Sequence, residues 1–395
     1  NPTTNPKFLR IIYSILASSA LVSIYAVLEH FGIDKKFWVQ DVQNRVFSTL
    51  GQPNWLSAYL IAILPLPIYL GIYSKKIKPS LLWYSLSFLI FISILYTKSR
   101  SGIGTTLIVI SLIFVHQFRI FKSAIYNVQS KITLLIPIVL LLTVVLVGTP
   151  WTPNPKDITT ALGKGGPIWV WGEKYLKKIG LTSVYKPIQI NNLTDKEKQQ
   201  FEAESKGLRF GGSDSFDIRR LVWAGAIELG KRHPFFGTGL ETFGYTYYNV
   251  RPAEHNLNSE WDFLYNKAHN EYLNFLANAG FVGLGTYLIL ILSIFYLFYI
   301  SKFSILNSQL FRFPLFLGFL SILITNYFGF SVVCVALFFF LFPALFIGIS
   351  NHKDVYLSIN LGINKWLLFF FLSLLAGYSI ITPINQFRAD IVYNK

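Results

Sequence analysis

Four side chains in this sequence have the chemistry of an anion-handling site: Arg100, Arg219, Arg220 and His269. A guanidinium presents a planar fork of donors that matches a pair of phosphate oxygens, and it stays charged at any ordinary pH. A neutral imidazole can take a proton at neutral pH. Arg100, in Thr97-Lys98-Ser99-Arg100-Ser101-Gly102, lies where an apolar run ends. It fits either a snorkelling cation on lipid phosphates or a fork for a substrate phosphate. Arg219 and Arg220 open a helical stretch, where a cation opposes the helix dipole. They serve either ion pairs with Asp214, Asp217 or the lipid surface, or a second anion clamp. His269, in Lys267-Ala268-His269-Asn270-Glu271-Tyr272-Leu273, is either a polar surface residue or a general base at the start of a membrane helix. The spacing of Glu254, His255, Glu260 and Asp262 matches no ligand pattern, so no metal and no cofactor is expected.

Upstream, Arg45 and Gly51-Gln52-Pro53-Asn54-Trp55-Leu56 precede another apolar run. Proline and an interfacial tryptophan account for most of that stretch as a turn. Asn54, at the edge of hydrocarbon, is costly without a partner.

The elements that position these residues are membrane helices. Only 14% of the 395 residues are charged and 53% are hydrophobic, against about 25% charged in soluble domains. The apolar residues fall in runs of the length a bilayer core demands. The spacing predicts an all-α polytopic membrane protein with about nine spans. They fall near Leu9–Leu28, Trp55–Tyr73, Leu81–Tyr96, Ile103–His116, Ile132–Val147, Phe281–Ile300, Phe313–Tyr327, Val332–Ile349 and Trp366–Ile384. The formal charge of +16 forms no stripe of the kind nucleic acid requires, and nucleic acid is not an expected partner. It collects instead in short loops, at Lys75, Lys76, Lys78, Arg119, Lys122, Lys131, Lys302, Arg312, Lys353 and Lys365. If the spans alternate, these loops share one side, which the positive-inside rule makes cytoplasmic. Lys98 and Arg100 then lie on the opposite, outer face and break the rule.

The chain divides into membrane helices one to five (1–148), a large extracytoplasmic loop (149–270), membrane helices six to nine (271–384) and a polar end (385–395). Within the loop, the first half (Thr152–Gly212) reads as irregular or inserted material. The second half contains a helix from about Phe216 to Arg232, capped by Asp214 or Ser215 and stopped by Pro234. A further helix begins near His269 and leads into the sixth span. The single cysteine, Cys334, permits no disulfide within the chain, and the absence of methionine leads us to expect a longer reading frame.

Taken in order, these motifs resemble the O-antigen ligase and O-antigen polymerase superfamily of bacterial membrane glycosyltransferases. The carrying pieces are Gly51-Gln52-Pro53-Asn54 with Ala58-Tyr59-Leu60, then Ser99-Arg100-Ser101-Gly102. Arg219 follows, four residues before Trp223, then Pro234-Phe235-Phe236-Gly237-Thr238-Gly239, and Ala268-His269-Asn270 with Tyr272-Leu273 and Gly280. The resemblance implies a multi-pass protein of the bacterial cytoplasmic membrane with its site facing the periplasm or cell exterior. It implies transfer of a glycan from undecaprenyl diphosphate to a glycan, lipid or protein acceptor, among membrane lipids. In that reading Arg100 and Arg219 hold the diphosphate, with Arg220 as the alternative if the register slips by one. His269 activates the acceptor hydroxyl, and Arg45, Asn54, Asn270 and Tyr272 support the site. The reaction would invert the anomeric centre and need no nucleotide sugar, nor a metal if arginines neutralise the developing charge.

Three features depart from the family: fewer spans, an insertion at Thr152–Gly212, and an end, Arg388–Lys395, that looks like the start of a further helical domain. Polymerase and protein O-oligosaccharyltransferase activities stay open beside ligation. A transporter of lipid-linked glycans is the reading of a different class, but it calls for internal repeats and midplane polar groups that this sequence does not show clearly. A receptor or structural anchor would not require Arg100 and His269 at two separate span ends.

Overall fold

The computed structural model describes residues 6–38, 40–74, 76–124, 215–257, 262–300 and 309–349, with single positions in 139–150, at 260 and between 367 and 381. The chain divides into two units, Asn1–Asn351 and His352–Lys395, and every helix named below belongs to the first. The elements are α1 (Pro6–His30), α2 (Pro53–Ile63), α3 (Pro65–Tyr73), α4 (Ile77–Tyr96), α5 (Arg100–Ala124), α6 (Ser215–Arg232), α7 (Glu271–Ile300), α8 (Gln309–Tyr327) and α9 (Val333–Ile349). Short helical turns lie between them, and no strand occurs among the described elements.

Six helical stretches are long and apolar enough to cross a membrane: Pro6–His30, Pro53–Tyr73, Ile77–Tyr96, Arg100–Gln117, Glu271–Ile300 and Leu310–Tyr327. α9 is equally apolar but has 17 residues, so it falls short of that set. The spans expected near 132–147 and 366–384 lie largely outside the described residues. Among the described residues, six of the nine expected positions therefore carry membrane-length helices, and α9 occupies a seventh.

Two of the expected helices differ from their sequence reading for identifiable reasons. The second span is interrupted at Leu64, because Pro65 has no N–H to donate and its ring crowds the preceding turn. Its upper half starts cleanly: the Gln52 side chain accepts from Trp55 N at 3.0 Å, and Pro53 occupies the first helical turn, where no donor is needed. The helix after His269 begins at Glu271 and is bent at Gly280, whose φ of 64° and ψ of −164° are not helical. The kink separates a first half packed within the protein from a lipid-length second half.

Two cores hold the unit together. The larger is built from the membrane helices, with Leu56, Leu60, Ile94, Leu315 and Phe342 among its fully buried members. A smaller one gathers Ile218, Val222, Ala226 and Leu229 of α6 against Phe243, Tyr247, Tyr265, Ala268 and Ala277. The apolar residues of α6 recur at helical spacing, so one face packs on the first half of α7 and the other is left polar.

Candidate functional site

Arg45 and Arg100 meet because the first interhelical loop binds the end of α4. Arg45 Nε donates to the carbonyl of Thr97 at 3.2 Å, and Val46 N donates to that of Tyr96 at 3.2 Å. Both bonds satisfy carbonyls that the end of a helix leaves without partners. Lys98, in the left-handed region at φ 48°, donates its ammonium to Asn44 Oδ1. The loop itself is pinned by Glu29, whose Oε2 accepts from Phe47 N at 2.8 Å and Ser48 N at 2.7 Å. The basic turn at Lys98 and Arg100 is thus fastened to the protein from two directions.

The same turn is tied to α2. Ser99 Oγ donates to Asn54 Oδ1 at 2.8 Å and accepts from Gly102 N at 3.2 Å. A Cβ on Gly102 would lie 1.7 Å from Ser57 Oγ, so α5 approaches α2 as closely as it does only with glycine there.

On the opposite side, α6 carries Arg219 half-buried and Arg220 exposed. Arg220 points away and lies 3.9 Å from Asp217, with both side chains mostly in water. Trp223, one turn beyond Arg219, sets α6 against the end of α8, its ring 5.6 Å from that of Tyr327. After α6 the chain folds through Pro234–Gly239 onto the kink in α7. Phe281 N donates to Pro234 O at 2.7 Å, Thr238 N to Ala277 O at 2.9 Å and Gly239 N to Asn278 O at 3.0 Å. A Cβ at Gly280 would stand 2.4 Å from Phe235 O, and one at Gly237 would stand 2.3 Å from the Asn278 carbonyl carbon. Both glycines also have positive φ, so the turn and the kink require each other.

His269 immediately precedes α7, with φ of 52°. A non-glycine residue in that region is uncommon and is held there by its surroundings. Asn270, 2% exposed, caps the helix by accepting from Leu273 N at 3.1 Å. The Tyr272 hydroxyl donates to Leu323 O at 3.1 Å and so joins α7 to α8. The imidazole lies edge-on between two rings, 5.7 Å from Tyr265 and 5.4 Å from Phe330. Phe330 in turn lies 6.0 Å from Trp55 at the tip of α2. Among the described residues no hydrogen bond engages either ring nitrogen of His269, so packing sets its orientation.

The electrostatics show that these groups form one cluster. Burial lowers the pKa of Arg219 most; Glu260 opposes this, and the charges of Arg100 and Arg45 lower it further. Arg45 is lowered by its surroundings and by Arg100. His269 is pushed down to about 4 by burial and then by Arg219. An imidazole so placed is neutral throughout the neutral range. Three guanidiniums from three separate segments therefore share a field with one neutral base, an arrangement suited to a di-anion and a proton acceptor.

The structure brings Arg45, Arg100, Arg219 and His269 together, with Asn54 beside them through Ser99. Asn270 and Tyr272 hold α7 in place, and Arg220 lies outside the cluster. Sequence reasoning missed Phe330, Tyr265 and Glu260 as neighbours. Glu260 acts on Arg219 and accepts from the Tyr265 hydroxyl. In the sequence it comes up only as a metal ligand with His255, set aside because the spacing matches no ligand pattern. His255 is fully buried, with Nδ1 2.7 Å from the Tyr247 hydroxyl.

Described helices that are apolar and of membrane length, with an arginine–histidine cluster beside them, define a multi-pass membrane protein. Residues 85–288 match the O-antigen ligase family model, which is just over half of the 395 residues, and the chain belongs to that family. The matched region contains Arg100, Arg219, Arg220, His269 and Gly280; Arg45 and Asn54 precede it. Among curated proteins none matches the chain. The family makes the protein a glycosyltransferase-type membrane enzyme.

Proposed function

We propose that the protein transfers a glycan from undecaprenyl diphosphate to an acceptor hydroxyl at the outer face of the bacterial cytoplasmic membrane. The observation that carries this reading is that Arg45 and Arg100 act on Arg219, and Arg219 in turn on the buried His269. Three guanidiniums act on one another here, with Glu260 as the carboxylate acting on Arg219, a surplus of positive charge that suits a lipid-borne diphosphate. The bias of lysine and arginine toward the other short loops supports an outward-facing site.

In this mechanism the arginines hold the donor diphosphate. His269 accepts the proton of the acceptor hydroxyl as its oxygen bonds to the anomeric carbon. The bond from that carbon to the diphosphate oxygen breaks, and the leaving charge falls on the arginines, where preorganised donors stabilise it. Attack from the side opposite the leaving group inverts the anomeric centre. The sugar is already activated by its diphosphate, so no nucleotide sugar enters. Ligation, polymerisation and protein glycosylation share this step and differ in the acceptor.

The test is transfer in vesicles loaded with polyprenyl-diphosphate-linked glycan and presented with lipid, glycan and protein acceptors. His269→Ala should insert normally and lose about 10²–10⁴ of the rate. Transfer at the wild-type rate by that variant would overturn the mechanism.

A further inference from the structure

The turn that embraces Gly280 carries an exposed apolar tip. Phe235 is 70% exposed, Phe236 76% and Leu240 84%. The tip is held firmly, because Phe281 N and Val282 N donate to Pro234 O and Phe235 O, and Thr242 Oγ1 donates to Gly239 O at 2.7 Å. Rigid exposure of large apolar side chains in one patch marks an interaction surface.

Two observations say what covers it. The backbone bonds place the tip beside Phe281 and Val282, exposed residues that open the lipid-length half of α7. That outward apolar face continues through Ile289 and Leu292, so the patch is continuous with the surface the span turns toward lipid. Immediately before the tip, Lys231 and Arg232 are exposed at the end of α6, with Arg232 also pairing with Glu228 at 3.0 Å. Apolar side chains flanked by cations are what a segment resting at the headgroup boundary requires: rings in the acyl region and positive charge among anionic headgroups.

We propose that the turn Pro234–Leu240 inserts into the bilayer leaflet at the site end of the bundle, with Phe235, Phe236 and Leu240 in the acyl boundary and Lys231 and Arg232 among anionic headgroups. Insertion fixes the end of α6 at the membrane surface, on the same helix as Arg219. The inference rests on the exposed faces of the turn and of α7, independently of the reaction.

The test uses the full chain with Cys334→Ala, so that single cysteines can be labelled. Phe236→Cys and Leu240→Cys each receive an environment-sensitive NBD dye in phosphatidylcholine–phosphatidylglycerol vesicles, with the exposed Glu254→Cys as reference. The replaced side chains are exposed, so the substitutions leave the packing intact. The expected result is blue-shifted emission at both tip positions, quenching by a nitroxide on the upper acyl chain and protection from iodide. Omitting phosphatidylglycerol should weaken the lipid quenching. Iodide reaching both tip positions as freely as Glu254→Cys would overturn the proposal. So would protection that vanishes with one protein per nanodisc, because a second copy would then be the cover.

Discussion

Ser99 donates its hydroxyl to Asn54 across 45 residues of chain, at 2.8 Å, and this one bond joins the arginine-bearing turn to the tip of α2. Removing the acceptor with Asn54→Ala costs the bond, about 1 kcal/mol, and loosens Arg100. Asn54→Asp keeps an acceptor but adds a negative charge beside the turn that carries Arg100, where it would repel the proposed diphosphate. Asn54→Asp should therefore raise KM for the donor more than Asn54→Ala does. The reverse order in a donor titration would mean that Arg100 holds no anion.

The two adjacent arginines of α6 separate cleanly. Arg219→Ala should weaken donor use by at least about tenfold, and Arg219→Lys should not restore it, since an ammonium lacks the fork. Arg220→Ala should leave KM within about twofold, because its partner is an exposed Asp217 and surface pairs contribute little. Equal losses at both positions would exclude the cluster described here.

His269 is depressed to about 4 by burial and by Arg219. A base is lost when it is protonated, which happens below its pKa. The kcat/KM profile should therefore stay level through the neutral range and fall only as pH approaches about 4. A bound diphosphate offsets the charge of Arg219 and raises the imidazole pKa, so the acid limb of kcat should lie at higher pH than that of kcat/KM. Coincident limbs in the two profiles would separate His269 from the diphosphate site.

Phe330 walls off one edge of that imidazole. Phe330→Ala admits water, relieves the desolvation and should return His269 toward its ordinary value of about 6.5. The acid limb of kcat/KM should move upward in pH accordingly, a change that lost packing elsewhere would not produce. An unmoved limb would assign the depression to Arg219 alone.

Gly280→Ala places a Cβ 2.4 Å from Phe235 O in a left-handed backbone position. With ψ at −164° the position is one that essentially only glycine adopts, which alone costs another residue about 1–3 kcal/mol, and the turn must also yield. Thermal unfolding in detergent should show a lowered midpoint together with reduced transfer. An unchanged midpoint would mean that turn and kink do not depend on each other.

Much of this was legible because it is local. The helix expected from Phe216 to Arg232 runs from Ser215 to Arg232, since apolar period and Pro234 specify it without tertiary help. The clustering of Arg100, Arg219 and His269 followed from motif order and resemblance. The contribution of Phe330 was not legible, because a phenylalanine between two apolar helices looks like any other until its neighbours in space are known. The Asn54–Ser99 bond is hidden for the same reason: each residue has a local explanation, as turn or cap. The interruption before Pro65 does not show in hydropathy, because the apolar run Trp55–Tyr73 is unbroken while its hydrogen bonding is not.

Most residues of the span from Pro53 to Tyr73 are buried, and it packs against α4, α5, α8 and α9. It serves as the spindle of the bundle, and Asn54 and Trp55 at its tip form a stationary wall. α6 rests on a separate small core and is joined to the rest mainly through α7. Of the two sides of the cluster, the α2 side is therefore packed into the large core and the α6 side into the small one. Backbone amides from Leu56 to Leu70 should be the last to exchange with deuterium, and those from Ile218 to Leu229 should exchange well before them.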